Sequence, residues 1–254
     1  MELQLKGKKA LVTGGTRGIG RAIAECLARE GCHVAICARN AAPVKAAVAR
    51  LQKLGGKAFG AAFDVSDDKA LAQWVADAAG ALGGVDIAVA NVSAMADGGR
   101  PADFRKAFDT DFMHTVNLVE AALPLLKRSK AGSIIAISSI SGSEDYGFDQ
   151  SSYGSIKAAL FYYVKSLANH LAPTGIRANV VSPGTTYFKG GFWHEVELKQ
   201  PQVFAEAMAG NPMGRMAKPE DIANAVAFLS SAAAGFITGV NLVVDGGFTK
   251  RIQT

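Results

Sequence analysis

Short apolar segments alternate regularly with amphipathic segments along this chain, and this alternation limits its possible folds. The apolar segments have the length of buried strands, and the segments between them repeat apolar residues at helical spacing. Such alternation predicts a parallel sheet with helices on both faces. We expect strands at 9–13, 33–38, 58–63, 85–90, 133–138, 177–182 and 240–244, and helices at 21–30, 43–54, 67–82, 101–128, 151–172 and from about 219.

The 254 residues are enough for one large α/β domain, and no boundary between two domains is visible. The sequence has no repeat of fixed period, no low-complexity linker and no shift in composition. We therefore predict a single, doubly wound domain over residues 1–254. Glycine, proline and aromatic residues interrupt the segment 184–215, which we expect to form a mobile flap over a site.

Hydropathy and cysteine usage restrict the class of protein. No stretch approaches the roughly 20 apolar residues that cross a bilayer, and the opening MELQLKGKKA lacks an apolar signal core. The three cysteines are odd in number and form no CxxC pair, so we expect free thiols. These features predict a soluble, cytoplasmic protein without a membrane partner.

The charged and metal-ligating residues are scattered along the chain. The four histidines lack the spacing of a metal site, so we predict no metal. A net charge of +5 would suit an anionic ligand, but the 27 Lys and Arg residues are dispersed and no nucleic-acid-binding motif accompanies them. We expect a small-molecule ligand rather than nucleic acid.

A glycine-rich turn, TGGTRGIG at residues 13–20, joins the first strand to the first helix. Gly14, Gly18 and Gly20 allow a tight turn and close approach of the backbone to a ligand. The following helix offers unpaired N–H groups and the positive end of its dipole. This arrangement suits a pyrophosphate and predicts a dinucleotide site, although many glycine turns bind no nucleotide.

A second pattern, YGSIK at residues 153–157, places Tyr153 and Lys157 four residues apart on a predicted helix. Residues with this spacing share one helix face and can point into the same cleft. A phenol is a weak base at neutral pH, and a nearby ammonium favours its phenolate form. The pair can therefore move a proton, although the same spacing occurs on ordinary helices.

Ser139 follows a predicted strand, at the edge of the sheet where the carboxyl ends of parallel strands meet. Its hydroxyl could hold a substrate oxygen and stabilise developing negative charge there. Ser138 and Ser141 compete for the same role.

Together the motifs resemble those of the short-chain dehydrogenase/reductase family, including members similar to 3-oxoacyl-[acyl-carrier-protein] reductase. The glycine turn has the family spacing TGxxxGxG. Further family motifs follow in order along nearly the whole chain: Asp64-Val65, Asn91, Ser139, Tyr153, Lys157, Pro183-Gly184 and Asp245-Gly246-Gly247. The resemblance implies a Rossmann-type fold and hydride transfer between a nicotinamide cofactor and a carbonyl or secondary alcohol.

The resemblance also implies roles for individual residues. Tyr153 would be the general acid/base, Ser139 would hold the substrate oxygen, and Lys157 would orient the phenol and the nicotinamide ribose. Asp64 would contact the adenine amino group, although it could equally cap a strand end. The cofactor-binding residues that we expect are Gly14, Thr16, Arg17, Gly18, Ile19, Gly20, Arg39, Asp64, Val65, Asn91, Tyr153, Lys157, Pro183, Gly184 and Thr186.

The end of the second strand indicates which cofactor is preferred. An acidic residue there would bind the ribose 2′-hydroxyl and repel a 2′-phosphate, but the sequence reads CARN at residues 37–40. Arg39, together with Arg17 in the glycine turn, could clamp a 2′-phosphate. We therefore predict NADP(H) rather than NAD(H), with solvated arginines as the alternative.

Asp111 departs from the family pattern, which usually has a catalytic asparagine at this position. In the family that residue acts largely through its backbone carbonyl, which holds a water linked to the lysine, and an aspartate backbone can do the same. The carboxylate would also add negative charge near Lys157 and partly offset its effect on Tyr153. We include Asp111 in the catalytic set.

Further departures concern the pocket. Asn91-Val-Ser93 replaces Asn-Ala-Gly and is expected to narrow the nicotinamide end, while Phe188 replaces the threonine expected four residues after Gly184. One extra residue between Ser139 and Tyr153 indicates an insertion near 144–148. There Glu144, Tyr146 and Phe148 could meet substrate or simply pack as a surface loop.

Several questions of function stay open at this level. Aromatic residues in the flap suggest a partly apolar substrate, or pack against their own domain: Tyr187, Phe188, Phe192 and Trp193. The basic segment 127–130 could attract an acidic carrier protein, or be a solvated helix end. An NAD-dependent alcohol dehydrogenase and a non-catalytic dinucleotide sensor are the alternative functions. The family resemblance implies a homotetramer or homodimer.

Overall fold

The computed structural model describes residues 2–96, 98–129, 131–146 and 151–252. Within these ranges seven parallel strands form one sheet in the order β3-β2-β1-β4-β5-β6-β7. The strands are β1 (Lys9–Thr13), β2 (His33–Ala38), β3 (Ala58–Ala62), β4 (Ile87–Ala90), β5 (Ser133–Ile137), β6 (Arg177–Pro183) and β7 (Asn241–Val244). The strand order reverses between β1 and β4, which opens a crevice at their carboxyl ends.

Helices cover both faces of the sheet. They are α1 (Gly18–Arg29), α2 (Ala41–Gln52), α3 (Asp68–Leu82), α4 (Pro101–Ala107), α5 (His114–Leu126), α6 (Ser152–Leu171), α7 (Phe192–Lys199), α8 (Pro201–Ala209) and α9 (Pro219–Ser230). Residues of α1, α2 and α9 bury one face of the sheet, and residues of α3, α5 and α6 bury the other. The doubly wound architecture predicted from the alternation is confirmed.

The central strands have apolar residues on both faces because each face packs against helices. In β1, Ala10 and Val12 belong to one hydrophobic cluster, while Leu11 between them belongs to the other. All four residues of β4 are buried. Such strands appear in the sequence as nearly continuous apolar runs, which is why their positions are easy to predict.

Two segments differ from the sequence-based prediction. The predicted helix over 101–128 is divided by a π-helical turn, Phe108–Met113, between α4 and α5. The segment 184–215, expected to be irregular, contains α7 and α8. Pro201 does not interrupt this segment but begins α8, because proline at the first helical position lacks an N–H group that would be unpaired there in any case.

In the described ranges, none of the helices combines the length and apolar character needed to cross a membrane. The same ranges contain no group of three or more His, Cys, Asp and Glu residues that could hold a metal ion. Cys26, Cys32 and Cys37 are free thiols, as expected.

Candidate active site

One cavity of about 1900 Å³ extends along the carboxyl ends of the strands. Most single-ligand pockets are smaller, so this one can accommodate a dinucleotide together with a substrate. Of the predicted site residues, Asp111 is buried beside Lys157, and the others line the cavity: Gly14, Thr16, Arg17, Gly18, Ile19, Gly20, Arg39, Asp64, Val65, Asn91, Ser139, Tyr153, Lys157, Pro183, Gly184 and Thr186.

The glycine turn ends where α1 begins, at Gly18. Arg17 precedes the helix with extended backbone (φ −149°), and its side chain does not cap the helix. The first turn of α1 contains no acidic residue. The first N–H groups of the helix and the positive end of its dipole are therefore suited to an anion.

Gly20 fixes the shape of this turn through close packing. A Cβ atom at Gly20 would overlap the side-chain nitrogen of Asn91 and the carbonyl oxygen of Gly14. Asn91 in turn donates two hydrogen bonds to Thr13 at the end of β1, from its N–H to Oγ1 and from its Nδ2 to the carbonyl, both at 2.9 Å. The ends of β1 and β4 are thus tied together beneath the turn.

Arg39 follows β2 and Asp64 follows β3, and both residues line the cavity. Hydrogen bonds from the N–H (3.0 Å) and hydroxyl (2.8 Å) of Ser66, together with the charge of Arg39, hold the pKa of Asp64 below its usual value. The Asp64 carboxylate therefore stabilises the turn that follows β3, and Asp64 also lines the cavity.

Arg17 contacts the flap segment, which we define as residues 184–215. Its Nη1 donates a hydrogen bond to the carbonyl of Gly190 at 3.3 Å. The guanidinium is engaged with the flap segment in this structure, so Arg39 is the better placed of the two arginines for a 2′-phosphate.

Tyr153 and Lys157 lie in the first two turns of α6, as their spacing predicts. The α6 helix is capped by Ser151, whose hydroxyl accepts a hydrogen bond from the Gly154 N–H at 2.9 Å. Lys157 is only 2% exposed, and its Nζ lies 5.5 Å from the centroid of the Tyr153 ring. Its ammonium also donates to the carbonyl of Ile137 at 3.1 Å, which fixes it against the end of β5.

The three candidate serines after β5 make different contacts. Ser138 donates its hydroxyl to the carbonyl of Lys157 at 2.8 Å, so it holds α6 against the sheet. Ser139 accepts a hydrogen bond from the Ser141 N–H at 3.1 Å, which uses a lone pair of its hydroxyl rather than its proton. All three serines line the cavity.

Asp111 lies in the π-helical turn and forms a buried ion pair. Its Oδ1 is 3.0 Å from Nζ of Lys157, and its Oδ2 accepts a hydrogen bond from the Ala94 N–H at 2.8 Å. The carbonyl of Asp111 accepts the hydroxyl of Thr115 at 2.8 Å. The side chain, and not only the backbone, therefore takes part in the site, because it links the lysine to the loop after β4.

His114 lies buried next to the site, in the structural role that we expect of a histidine outside any metal-ligand pattern. It is 1% exposed, and burial lowers its pKa to about 4, so the ring is neutral at physiological pH. Its Nδ1 lies 2.8 Å from the carbonyl of Thr110 and its Nε2 lies 3.1 Å from Oγ1 of Thr13. A neutral ring satisfies both contacts if Nδ1 donates and Nε2 accepts. No motif marked this histidine, since the contact joins elements about 100 residues apart in sequence.

The remaining cavity wall is largely apolar and comes from the flap segment and the C-terminus. Phe192, Trp193, Val196 and Phe248 line it. Tyr187 packs instead against Phe204 and His194 within the flap segment, which fits our alternative that such aromatic residues pack internally.

Residues 144–146, in the loop where we expect an insertion, contact the C-terminal segment. The rings of Tyr146 and Phe248 lie 5.8 Å apart, and both line the cavity with Glu144. Phe148, and Lys130 of the basic segment, lie outside the described residues.

The residues present fit a dinucleotide. The uncapped start of α1 offers unpaired N–H groups to a pyrophosphate, and a carboxylate and a guanidinium line the same cavity for the adenosine portion. These features are all supplied by loops after β1, β2 and β3, as expected for a crevice at the carboxyl ends of parallel strands.

Comparisons with known proteins agree with this geometry. Residues 14–249 match the family model described as enoyl-(acyl carrier protein) reductase. The chain is 38% identical over 252 residues to isoepoxydon dehydrogenase patN of Penicillium expansum, covering 98% of this chain and 97% of the relative. It is 34% identical over 261 residues to 7alpha-hydroxysteroid dehydrogenase of Escherichia coli K12, covering 99% of this chain and 98% of that protein.

Solved structures show the same similarity. A 7 alpha-hydroxysteroid dehydrogenase complexed with NADH and 7-oxo glycochenodeoxycholic acid aligns with a TM-score of 0.90 at 31% identity, covering 97% of this chain and 96% of that one. L-Sorbose reductase from Gluconobacter frateurii, complexed with NADPH and L-sorbose, aligns with a TM-score of 0.90 at 28% identity, covering 99% and 100% of the two chains. With the family model and these relatives, the chain belongs to the short-chain dehydrogenase/reductase family of oxidoreductases, which act on alcohols and carbonyl compounds with NAD(P)(H).

Proposed function

We propose that Tyr153, Ser139 and Lys157 form the proton-transfer centre of this oxidoreductase, with NADP(H) as its preferred cofactor. The proposal rests on one observation above all, that these three side chains line the same cavity as the glycine turn. A bound nicotinamide supplies or accepts the hydride at the substrate carbon. The proton and the orientation of the reacting groups come from the chain itself.

Tyr153 donates a proton to the carbonyl oxygen during reduction and takes one from the alcohol during oxidation. The buried ammonium of Lys157 beside its ring favours the phenolate that forms when the proton leaves. Ser139 donates its free hydroxyl proton to the substrate oxygen, because its own hydrogen bond from Ser141 uses a lone pair.

Asp111 acts through Lys157. Its carboxylate holds the ammonium in place and balances part of its charge, while its other oxygen holds the backbone after β4 at Ala94. We therefore propose a positioning role that tunes the proton-transfer centre, in place of the asparagine usual in the family.

We propose that the residues predicted for the cofactor bind it in three groups. The glycine turn and the start of α1 hold the pyrophosphate, residues after β2 and β3 hold the adenosine, and residues after β4, α6 and β6 hold the nicotinamide ribose and ring. The last group is Asn91, Tyr153, Lys157, Pro183, Gly184 and Thr186.

The preference for NADP(H) depends on Arg39. This exposed arginine follows β2, where no acidic residue is present, and lines the cavity. Its guanidinium can make charge-assisted hydrogen bonds to a 2′-phosphate. NAD(H) is the second candidate, since the nearby carboxylate of Asp64 would repel a 2′-phosphate and a related steroid dehydrogenase is complexed with NADH.

The ratio of kcat/KM with NADPH to kcat/KM with NADH tests this preference. In Arg39→Ala we expect the ratio to fall by about tenfold or more, because a charge-assisted contact contributes roughly 1.5–3 kcal/mol. Arg29→Ala is the matched control, an exposed arginine at the end of α1 that pairs with Glu25. An unchanged ratio in Arg39→Ala would refute the assignment.

We propose that the flap segment covers the substrate and that the substrate is a partly apolar carbonyl compound or secondary alcohol. The apolar side chains of Phe192, Trp193 and Val196 at the cavity wall support this proposal. The substrates in the names of the relatives, among them 7-oxo glycochenodeoxycholic acid and L-sorbose, guide the choice of a test panel.

The reaction can be tested with a panel of cyclic ketones, steroid ketones, ketoses and 3-oxoacyl thioesters. Turnover of each compound is monitored by the absorbance of NADPH or NADH. We expect turnover of at least one apolar ketone with NADPH, and activity confined to NADH would contradict the cofactor proposal. If only the thioesters react, the substrate is an acyl group linked to a carrier rather than a free ketone.

We also propose that the chain forms a single domain, that four chains assemble into a homotetramer, and that the protein works in the cytoplasm. Tyr162 on α6 is 84% exposed and Phe236, shortly before β7, is fully exposed, which suits contacts between subunits at these elements. The free thiols fit a reducing compartment. Light scattering should give the mass of four chains, and the mass of one chain would contradict the assembly.

A further inference from the structure

The tip of the flap segment, residues 188–191, packs against the glycine turn through the side chain of Phe188. Its ring lies in a slot between Gly18 and Gly191. A Cβ atom at Gly18 would lie 2.5 Å from Cζ of the ring, and one at Gly191 would lie 2.7 Å from the same atom. Real Cβ atoms do not approach so closely, so the ring fills the space that a side chain at either position would need.

A second contact joins the same two segments. Nη1 of Arg17 donates to the carbonyl of Gly190 at 3.3 Å, one residue before the slot. The tip is thus held to the turn by one apolar and one polar contact on neighbouring residues.

The base of the flap segment, residues 186 and 187, is bound to Ala217 rather than to the glycine turn. The N–H of Tyr187 donates to the carbonyl of Ala217 at 2.9 Å, and Thr186 forms a parallel bridge with the same residue. Gly190 has a φ of +80°, a conformation that favours glycine and allows the chain to turn sharply there. The tip can therefore leave the glycine turn while the base stays in place.

The position of the Phe188 ring conflicts with the binding of a pyrophosphate. In a dinucleotide-binding turn, the missing side chain of the second glycine allows the backbone to approach the pyrophosphate. Here that glycine is Gly18, and the ring occupies the space beside it. An aromatic ring offers no hydrogen bond to the anion and would remove water from it, so ring and pyrophosphate compete for this side of the turn.

We propose that Phe188 is a latch which occupies the pyrophosphate side of the glycine turn and must leave it when a dinucleotide binds. The latch lowers cofactor affinity, because only the fraction of molecules with the ring displaced is competent to bind. The inference rests on the use of NAD(P)(H) by the family and is independent of the preference for NADP(H).

Equilibrium titration of the 254-residue chain with NADPH and, separately, with NADH tests the latch. We compare the wild type with Phe188→Ala, which removes the ring, and Gly191→Ala, whose methyl group would expel the ring from its slot. If the latched state is about 90% populated, both variants should bind each dinucleotide about tenfold more tightly. Leu198→Ala, an exposed apolar position on α7, is the matched control and should bind like the wild type.

Two further measurements distinguish the latch from a general change in the cavity. The affinity for an adenosine fragment without a pyrophosphate should be the same in the wild type and both latch variants. The fragment is adenosine 2′-monophosphate, or adenosine itself if the wild type prefers NADH. Stopped-flow mixing, followed by the fluorescence of NADPH itself, should show faster association of NADPH with Phe188→Ala than with the wild type. The faster association is expected because the variant has no ring to displace before the dinucleotide binds.

Unchanged or weaker dinucleotide binding by Phe188→Ala would overturn the latch. Tighter binding of the adenosine fragment by the same variant would also overturn it, because the effect would not depend on the pyrophosphate. A wild-type protein that prefers NADH would refute the proposed cofactor preference without affecting the latch, since each variant is compared with the wild type for the same dinucleotide.

Discussion

The buried pair of Asp111 and Lys157 determines how much positive charge acts on Tyr153. The two charged atoms are 3.0 Å apart, and both residues are 2% exposed, so solvent screens their interaction little. The neutral ring of His114 lies one turn from Asp111 and adds no charge at physiological pH. The carboxylate is therefore the main group that offsets the ammonium.

Asp111→Asn removes this negative charge and retains the size of the side chain. We expect the pH–rate profile of alcohol oxidation to move to lower pH, because the uncompensated ammonium favours the phenolate of Tyr153 more strongly. The measurement is kcat against pH for the wild type and the variant. An identical profile would show that the Asp111 side chain contributes nothing to proton transfer.

His114 makes the stability of the fold depend on pH. Burial lowers its pKa from 6.5 to about 4. Below pH 6.5 the unfolded chain takes up a proton that the folded chain does not, so the stabilising contribution is complete above pH 6.5 and falls as the pH approaches 4. Between pH 7.5 and 5.5 this histidine alone should remove on the order of 1 kcal/mol from the free energy of unfolding.

Urea unfolding at pH 7.5 and 5.5 measures this effect. His114→Gln should show a smaller loss of stability between the two pH values than the wild type. His170→Gln, an exposed position near the end of α6, is the control and should keep the wild-type dependence. Equal pH dependence in His114→Gln and the wild type would contradict the assignment.

Alanine substitutions at two helical glycines should have opposite effects on the stability of the fold. Gly20 in α1 has no room for a methyl group beside Asn91 and Gly14, whereas Gly80 in α3 has open space around it. We expect Gly20→Ala to destabilise the fold by about 1–3 kcal/mol and to weaken dinucleotide binding, because the turn must shift. Gly80→Ala should stabilise the fold by roughly 0.5–1 kcal/mol.

Thermal unfolding and an NADPH titration of both variants check this prediction. Gly80→Ala should retain the wild-type affinity, since Gly80 is not among the residues that line the cavity. Wild-type stability and affinity in Gly20→Ala would show that the turn does not need the close packing seen here.

The elements that were easiest to predict are those whose patterns are local. Strands β1 and β2 have the predicted bounds because apolar runs end at glycine or polar residues. The π-helical turn has no comparable signal, since it depends on how 108–113 packs between α4 and α6 rather than on its composition. The helices α7 and α8 were missed because glycines precede one of them and a proline begins the other.

In the candidate site, too, the features with a local sequence pattern were predicted more easily than those without one. Tyr153, Lys157 and the glycine turn follow from spacing along one helix or turn. The approach of Asp111 to Lys157, 46 positions away, was expected only from the family resemblance, because no local pattern indicates it. The contact of His114 with Thr13 joins residues 101 positions apart and was not expected at all.

In the whole molecule, the sheet brings the two proposed sites into one cavity. The proposed dinucleotide cradle comes mainly from loops after β1 to β3, and the proposed proton-transfer centre comes from β5 with α6. Since these parts come from different strands, a change at the proton donor should leave the cradle intact. Cofactor binding and turnover are then separable in a single variant.

Turnover and NADPH affinity of Tyr153→Phe, measured on the same preparation, test whether Tyr153 transfers the proton. We expect kcat to fall by about 10²–10⁴-fold, because the phenol proton is lost, while NADPH still binds. Turnover close to that of the wild type would show that Tyr153 is not the group that transfers the proton.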